Sequence, residues 1–234
     1  MNYLLIGVVI FFFLVTFNGW KRGLIRSVFF FGTTILALLL SSQCYQFVGK
    51  GINEYTSWDT EIKKSIENSL QWKGQEEQEL KRVEQTEKIE ELNLPKSIKE
   101  GLIENNNYDI YEALEATGFY DYVSSYLTKM VINAIAFIIT FLGTGIIIRI
   151  LFKVLDFITE IPILREINTI GGLLLGAIEA LIGIWLFFLI ITILGSTSFG
   201  MTMYGYINDS ILLTYLYNNN ILLLVITNMS KVLF

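Results

Sequence analysis

The chain has 234 residues, 53% hydrophobic and 17% charged, with a formal net charge of −5, one cysteine, two prolines and no histidine. Without histidine there is no Ser-His-Asp or Cys-His machinery and no histidine-ligated metal, and Cys44 alone makes neither an internal disulfide nor a cysteine zinc site. Of the 22 acidic and 17 basic residues, 17 and 9 fall within 49–127, so that segment belongs to water and the apolar remainder to a bilayer.

Four apolar stretches approach the length of about 20 residues that a helix needs to cross a hydrocarbon core. The first is 1–17, uncharged, with Leu4-Leu5-Ile6 and Phe11-Phe12-Phe13. It has no basic leader and no small-x-small cleavage site before Trp20, so it reads as an uncleaved span and not as a signal peptide. The second runs from about 24 to 48, the third from about 130 to 148 and the fourth from about 170 to 194. Continuous apolar runs of this length read as helices, because barrel strands would alternate over roughly ten residues.

Orientation follows from Lys and Arg in the short links. Lys21, Arg22 and Arg26 join spans one and two without an acid. Arg149, Lys153 and Arg165 join spans three and four, beside Asp156, Glu160 and Glu166. Both links are expected to be cytoplasmic, with the N-terminus, 49–127 and the C-terminus outside. Tyr120, Tyr122 and Tyr126 are expected at the outer membrane boundary and Trp20 at the inner one.

Within the polar segment, Trp58, Ile62, Ile66 and Leu70 form one apolar helical stripe. Residues 74–93 are rich in Glu, Gln and Lys, with Leu80, Val83, Ile89 and Leu92 as a thin stripe. Pro95 starts a second short helix carrying Ile98 and Leu102, which fades at Asn105-Asn106-Asn107. Ile110, Leu114, Phe119, Val123 and Leu127 then lead into span three. This is either a helical cap that binds something outside or a solvated helical insert with no ligand. Its negative charge speaks against nucleic acid, which needs clustered Lys or Arg.

Residues 149–168 carry an apolar edge of Leu151, Leu155, Ile158 and Pro162 beside Lys153, Asp156 and Glu160. They form an interfacial amphipathic stretch or a continuation of span three. In span four, Gly172, Gly176 and Ala180 recur every four residues, with Gly183 beyond, so two helix backbones can approach closely there. At 100° per residue, 172, 176, 179 and 183 share a face, which places Glu179 on the packing stripe. An acid about nine residues into a span is expensive and usually faces protein or water. Glu179 is then a structural ion-pair partner of Arg149, Arg22 or Arg26, an acid that snorkels to the interface, or a group on an ion path. Lys21, Arg22, Gly23 and Arg26 are candidates for contact with anionic headgroups or a partner, although topology alone also calls for that basic cluster. In 196–234 the apolar runs at 211–213, 215–217 and 221–224 are each too short to span, so an interfacial or re-entrant tail is expected. No phosphate loop, paired-carboxylate cluster or nucleophile elbow is present, and no cofactor is expected.

Three stretches resemble the colicin V production protein family of bacterial inner-membrane proteins. They are Lys21-Arg22-Gly23-Leu24-Ile25-Arg26, Pro162-Ile163-Leu164 with Asn168, Gly172 and Gly176, and Asn208-Asp209-Ser210-Ile211-Leu212 with Tyr217-Asn218-Asn219-Asn220. The chain departs from the family pattern at Ser27, where an acid is common, at Thr169, where a base is common, and at Glu179, where Lys or Arg is common. The resemblance implies an integral membrane protein linked to colicin V production or export and to envelope upkeep.

The expected fold class is therefore an all-α membrane protein of four transmembrane helices, with a helical extracytoplasmic insert between spans two and three. Its expected parts are 1–48, 49–127, 128–195 and 196–234. The expected function is that of a non-enzymatic accessory or scaffold in export or envelope homeostasis, in contact with the lipid bilayer and with a second copy or another membrane protein. The alternative is a small oligomeric channel or transporter using span four.

Overall fold

The computed structural model describes residues 1–70, 80–154 and 165–230. All regular structure among them is helical. Three helices are long and apolar enough to cross a membrane: α1 (Tyr3–Tyr55), α6 (Phe119–Val154) and α7 (Arg165–Ile193). The sequence suggests separate first and second spans. In the structure both apolar stretches fall within α1, broken only at Gly23, where φ is 73° and ψ is 171°.

That one residue reverses the chain. In a straight helix, residues 19 and 27 would lie about 12 Å apart along the axis. Instead the Ser27 hydroxyl donates to the Gly19 carbonyl at 3.5 Å. The arm before the bend then runs antiparallel to α7, with Phe11 against Gly183, Gly19 against Gly176 and Gly23 against Asn168. The arm after it runs antiparallel to α6, with Ala37 beside Gly145, Ser41 beside Thr144 and Gly49 beside Ala136. Hydroxyls on these apolar helices are satisfied by their own backbone: Ser41 donates to Ala37, Thr140 to Ala136 and Thr144 to Thr140.

At the end of the bundle away from the bend sit four short helices: α2 (Trp58–Ser69), α3 (Arg82–Glu91), α4 (Lys96–Glu104) and α5 (Tyr108–Ala113). Pro95 precedes α4 in an extended conformation, as a residue without an N–H suits. The Asn107 side chain caps α5 by accepting from the Ile110 N–H. Their stripes do not face water throughout. Ile66, Ile89, Ile98, Leu102 and Ile110 are buried with Tyr122 and Tyr126 of α6. Tyr122 donates to the Leu102 carbonyl at 2.6 Å and stacks on Tyr111 with centroids 4.7 Å apart. Tyr122 and Tyr126 are thus part of the core of this cap, because the cap folds down onto the first turns of α6. Trp20 is half-exposed and stacks on Phe17.

The tail forms α8 (Ser198–Asn208), α9 (Ile211–Asn218) and α10 (Ile221–Ser230). Thr197, Ser210 and Asn220 cap the three in turn. Asn220 also donates to the Trp185 carbonyl at 3.0 Å, and the Trp185 indole donates to the Leu216 carbonyl at 3.2 Å. Trp185 lies eight residues, about 12 Å, before the end of α7. The tail therefore folds back along α7 and buries Leu222, Leu223 and Ile226.

Candidate functional site

The site is the seam between the first arm of α1 and α7. A Cβ on Gly19 would lie 2.5 Å from the Gly172 carbonyl oxygen and 2.6 Å from the Gly176 Cα. A Cβ on Gly176 would lie 2.9 Å from the Gly19 Cα and 3.0 Å from the Thr16 carbonyl oxygen. The two backbones touch, as small residues four apart allow. Ala180 is fully buried, and Gly183 admits the edge of Phe11. The sequence reading named the α7 side of this seam and missed Gly19. The signal was present, since Gly19 and Gly23 repeat the four-residue spacing of Gly172 and Gly176.

Gly23 is buried at the bend, where the seam ends. Its dihedrals lie in a region that essentially only glycine visits. A Cβ there would also meet the Asn168 side chain at 2.5 Å. Asn168 in turn accepts from the Ile25 N–H at 3.3 Å. An amide from α7 thus occupies one of the backbone donors that a new helix start leaves open. Asn168 entered the sequence reading only through the family resemblance, and the contact across 143 residues of chain explains why spacing alone could not reveal its role.

Glu179 pairs with Arg22, Oε2 to a terminal guanidinium nitrogen at 2.5 Å, with side chains 8% and 19% exposed. Of the three arginines open to it from the sequence, the bend selects Arg22, whose side chain runs back along the first arm. The same guanidinium lies over the Phe30 ring at 4.6 Å. Arg149 lies over that ring too, at 4.8 Å, and is not in the pair. Three polar atoms of this region, Thr16 Oγ1, Arg22 Nε and Glu179 Oε1, are buried without a hydrogen-bond partner among the described residues. Lys21 and Arg26 are exposed, with the Lys21 ammonium 4.7 Å from the Phe17 ring centroid. The basic cluster is therefore split between one paired, partly buried member and two exposed ones.

The proposed amphipathic edge at Leu155, Ile158 and Pro162, with Asp156 and Glu160, lies outside the described residues, as does residues 74–79 of the polar stripe. Among the described residues no three Cys, Asp or Glu side chains gather as metal ligands.

Apolar helices of this length around a close-packed seam have the fold of a helical membrane protein. Residues 113–220, just under half of the chain, match the family model described as Colicin V production protein, a stretch that runs from the end of α5 to the start of α10. The match takes in the Asn168–Gly176 and Asn208–Asn220 stretches and does not extend to Lys21–Arg26. No curated protein and no solved structure matches the chain.

Proposed function

We propose that this is a non-enzymatic, multi-pass protein of the bacterial plasma membrane that acts as an accessory or scaffold in export or envelope homeostasis. Its four spans are the two arms of α1, the apolar part of α6 and α7. Lys21, Arg22 and Arg26 at the bend mark the cytoplasmic end by the bias of short loops. The cap, the N-terminus and the tail lie together at the other end. Asn2 donates to the Tyr206 carbonyl, Lys63 pairs with Asp121, and Ser65 bonds Ser196.

The observation that carries the scaffold reading is the use made of Glu179. The acid is spent on Arg22, and the small residues around it are spent on Gly19. The polar and small groups of α7 hold the chain together instead of lining an opening. A crosslinking pull-down of the full chain from native membranes tests this. It is expected to recover a membrane-protein partner or a crosslinked second copy; recovery of the uncrosslinked monomer alone would count against it.

The channel reading has one observation in its favour, the three orphaned polar atoms beside the Arg22–Glu179 pair. Flux through proteoliposomes decides between the two. The scaffold reading expects no protein-dependent flux. A flux that Glu179→Gln abolishes would replace it with the channel.

A further inference from the structure

The cap carries an open cleft of about 610 Å³ between α3 and α5, a volume typical of small-ligand sites. Its walls follow from the helical period. Tyr108, Tyr111 and Glu112 share one face of α5, while Ile110 on the opposite face is buried in the core. Arg82 and Gln85 stand on the face of α3 that carries Ile89 into the same core. Asn106, in the turn before α5, closes the back of the cleft.

Asn106 is 6% exposed, and its amide nitrogen donates to Gln85 Oε1 at 2.8 Å. Gln85 in turn donates to the Leu80 carbonyl at 3.1 Å. The two amides are thereby held in one orientation, and Asn106 Oδ1 accepts from none of the described residues. Three charged side chains line the same cleft: Arg82 from α3, and Glu112 and Glu115 from α5 and its end. None of the three has an ion-pair partner among the described residues, so both signs of charge face one space without meeting. Glu115 is also held at a φ of 53°, where the Ala116 N–H donates to the Tyr111 carbonyl at 2.9 Å and closes α5. Glycine is the usual occupant of that position, so this carboxylate stands on the rim of the cleft at a cost in backbone energy.

We propose that this cleft binds a short peptide with free termini on the outer side of the membrane. Arg82 takes the peptide's carboxylate, which a guanidinium fork suits. Glu112 and Glu115 take its ammonium, and the Asn106 oxygen accepts from a peptide N–H. Tyr108, 78% exposed, and Tyr111, held flat by its stacking on Tyr122, cover an apolar side chain. Separated charges of both signs select a zwitterionic peptide over a neutral sugar. The outward placement of the cap is taken from the four-span reading given above.

Titration calorimetry of the full chain in neutral detergent tests it, with the tripeptide Ala-Leu-Ala, its C-terminal amide, its N-acetyl form and chitotriose as probes. The free tripeptide is expected to bind one to one. The amide is expected to bind about tenfold more weakly, the loss of one charged hydrogen bond. Arg82→Gln is expected to bind the free tripeptide and the amide equally, which a merely structural role for Arg82 would not produce. The double variant Glu112→Gln with Glu115→Gln is expected to lose the preference for the free over the acetylated form. Lys96→Gln, on α4 and outside the cleft, is expected to change nothing. Melting curves without peptide separate lost binding from lost folding. No binding of the free tripeptide by wild type would overturn the site. Equal binding of free and capped forms by wild type would overturn the zwitterionic ligand, and binding of chitotriose in its place would overturn the peptide. Thiol labelling of Ser57→Cys in a Cys44→Ser background keeps the two readings apart. A cap labelled only after permeabilisation sinks the outward placement, whereas a cap labelled from outside that binds no tripeptide sinks only this inference.

Discussion

Gly176 has no room for a side chain, because its missing Cβ is where the Gly19 backbone passes. Gly176→Leu is expected to force the first arm off α7 and to lower stability by about 3 kcal/mol, the upper end of ordinary overpacking. Leu174 is exposed on the same helix, and Leu174→Ala is the matched control. Chemical unfolding in detergent measures both, and equal midpoints would show that the seam is not tight. The Arg22–Glu179 pair poses a different problem. Removing one partner leaves a buried charge and costs about 3–5 kcal/mol. Arg22→Ala and Glu179→Ala are both expected to be destabilised to that degree. The exchange Arg22→Glu with Glu179→Arg is expected to recover part of the loss. If the exchange is no better than the worse single variant, the pair contributes through position and not through charge.

At the scale of elements, α2 is tied to the start of α6 by Lys63 and Asp121 at 2.5 Å. Burial alone would raise the Asp121 carboxyl, but the Lys63 ammonium and the bonds from Thr117 outweigh it and hold the carboxyl below its ordinary value. A depressed folded-state value means that the stabilisation is complete above the unfolded value of about 4 and is lost as pH falls through the folded one. Hydrogen exchange in α2 is therefore expected to accelerate on acidification below about pH 4. Asp121→Asn is expected to exchange faster at neutral pH and to lose that dependence. An unchanged pH profile in Asp121→Asn would assign the effect to another carboxylate. Much of this scale could be read in the chain. The stripe of Ile62 and Ile66, the start at Pro95 and the four-residue glycine spacing are local patterns. The destination of Ile89 and Ile98 was not, because an amphipathic stripe states that a face is apolar and not which surface will cover it.

For the whole molecule, the antiparallel order of the rods makes sidedness testable. In a Cys44→Ser background, a membrane-impermeant thiol reagent applied to intact cells is expected to label Ser57→Cys and Asp209→Cys. Lys21→Cys is expected to react only after permeabilisation. All three positions are exposed. Labelling of Lys21→Cys from outside would invert the topology.

The sequence by itself determined the class. Apolar runs of bilayer length, a water-borne segment holding most of the charge and the absence of histidine are properties of composition and spacing, which need no knowledge of contacts. It also marked Glu179 as a costly acid that needed a partner. Only the tertiary structure decided which partner, because Arg22 and Glu179 are 157 residues apart. Their meeting depends on the reversal at Gly23, a dihedral that the residue type permits but does not dictate. The same reversal brought Arg22 and Arg149 to one Phe30 ring. Charge can be counted along the chain, but pairing is a matter of distance, and distance is set by the fold.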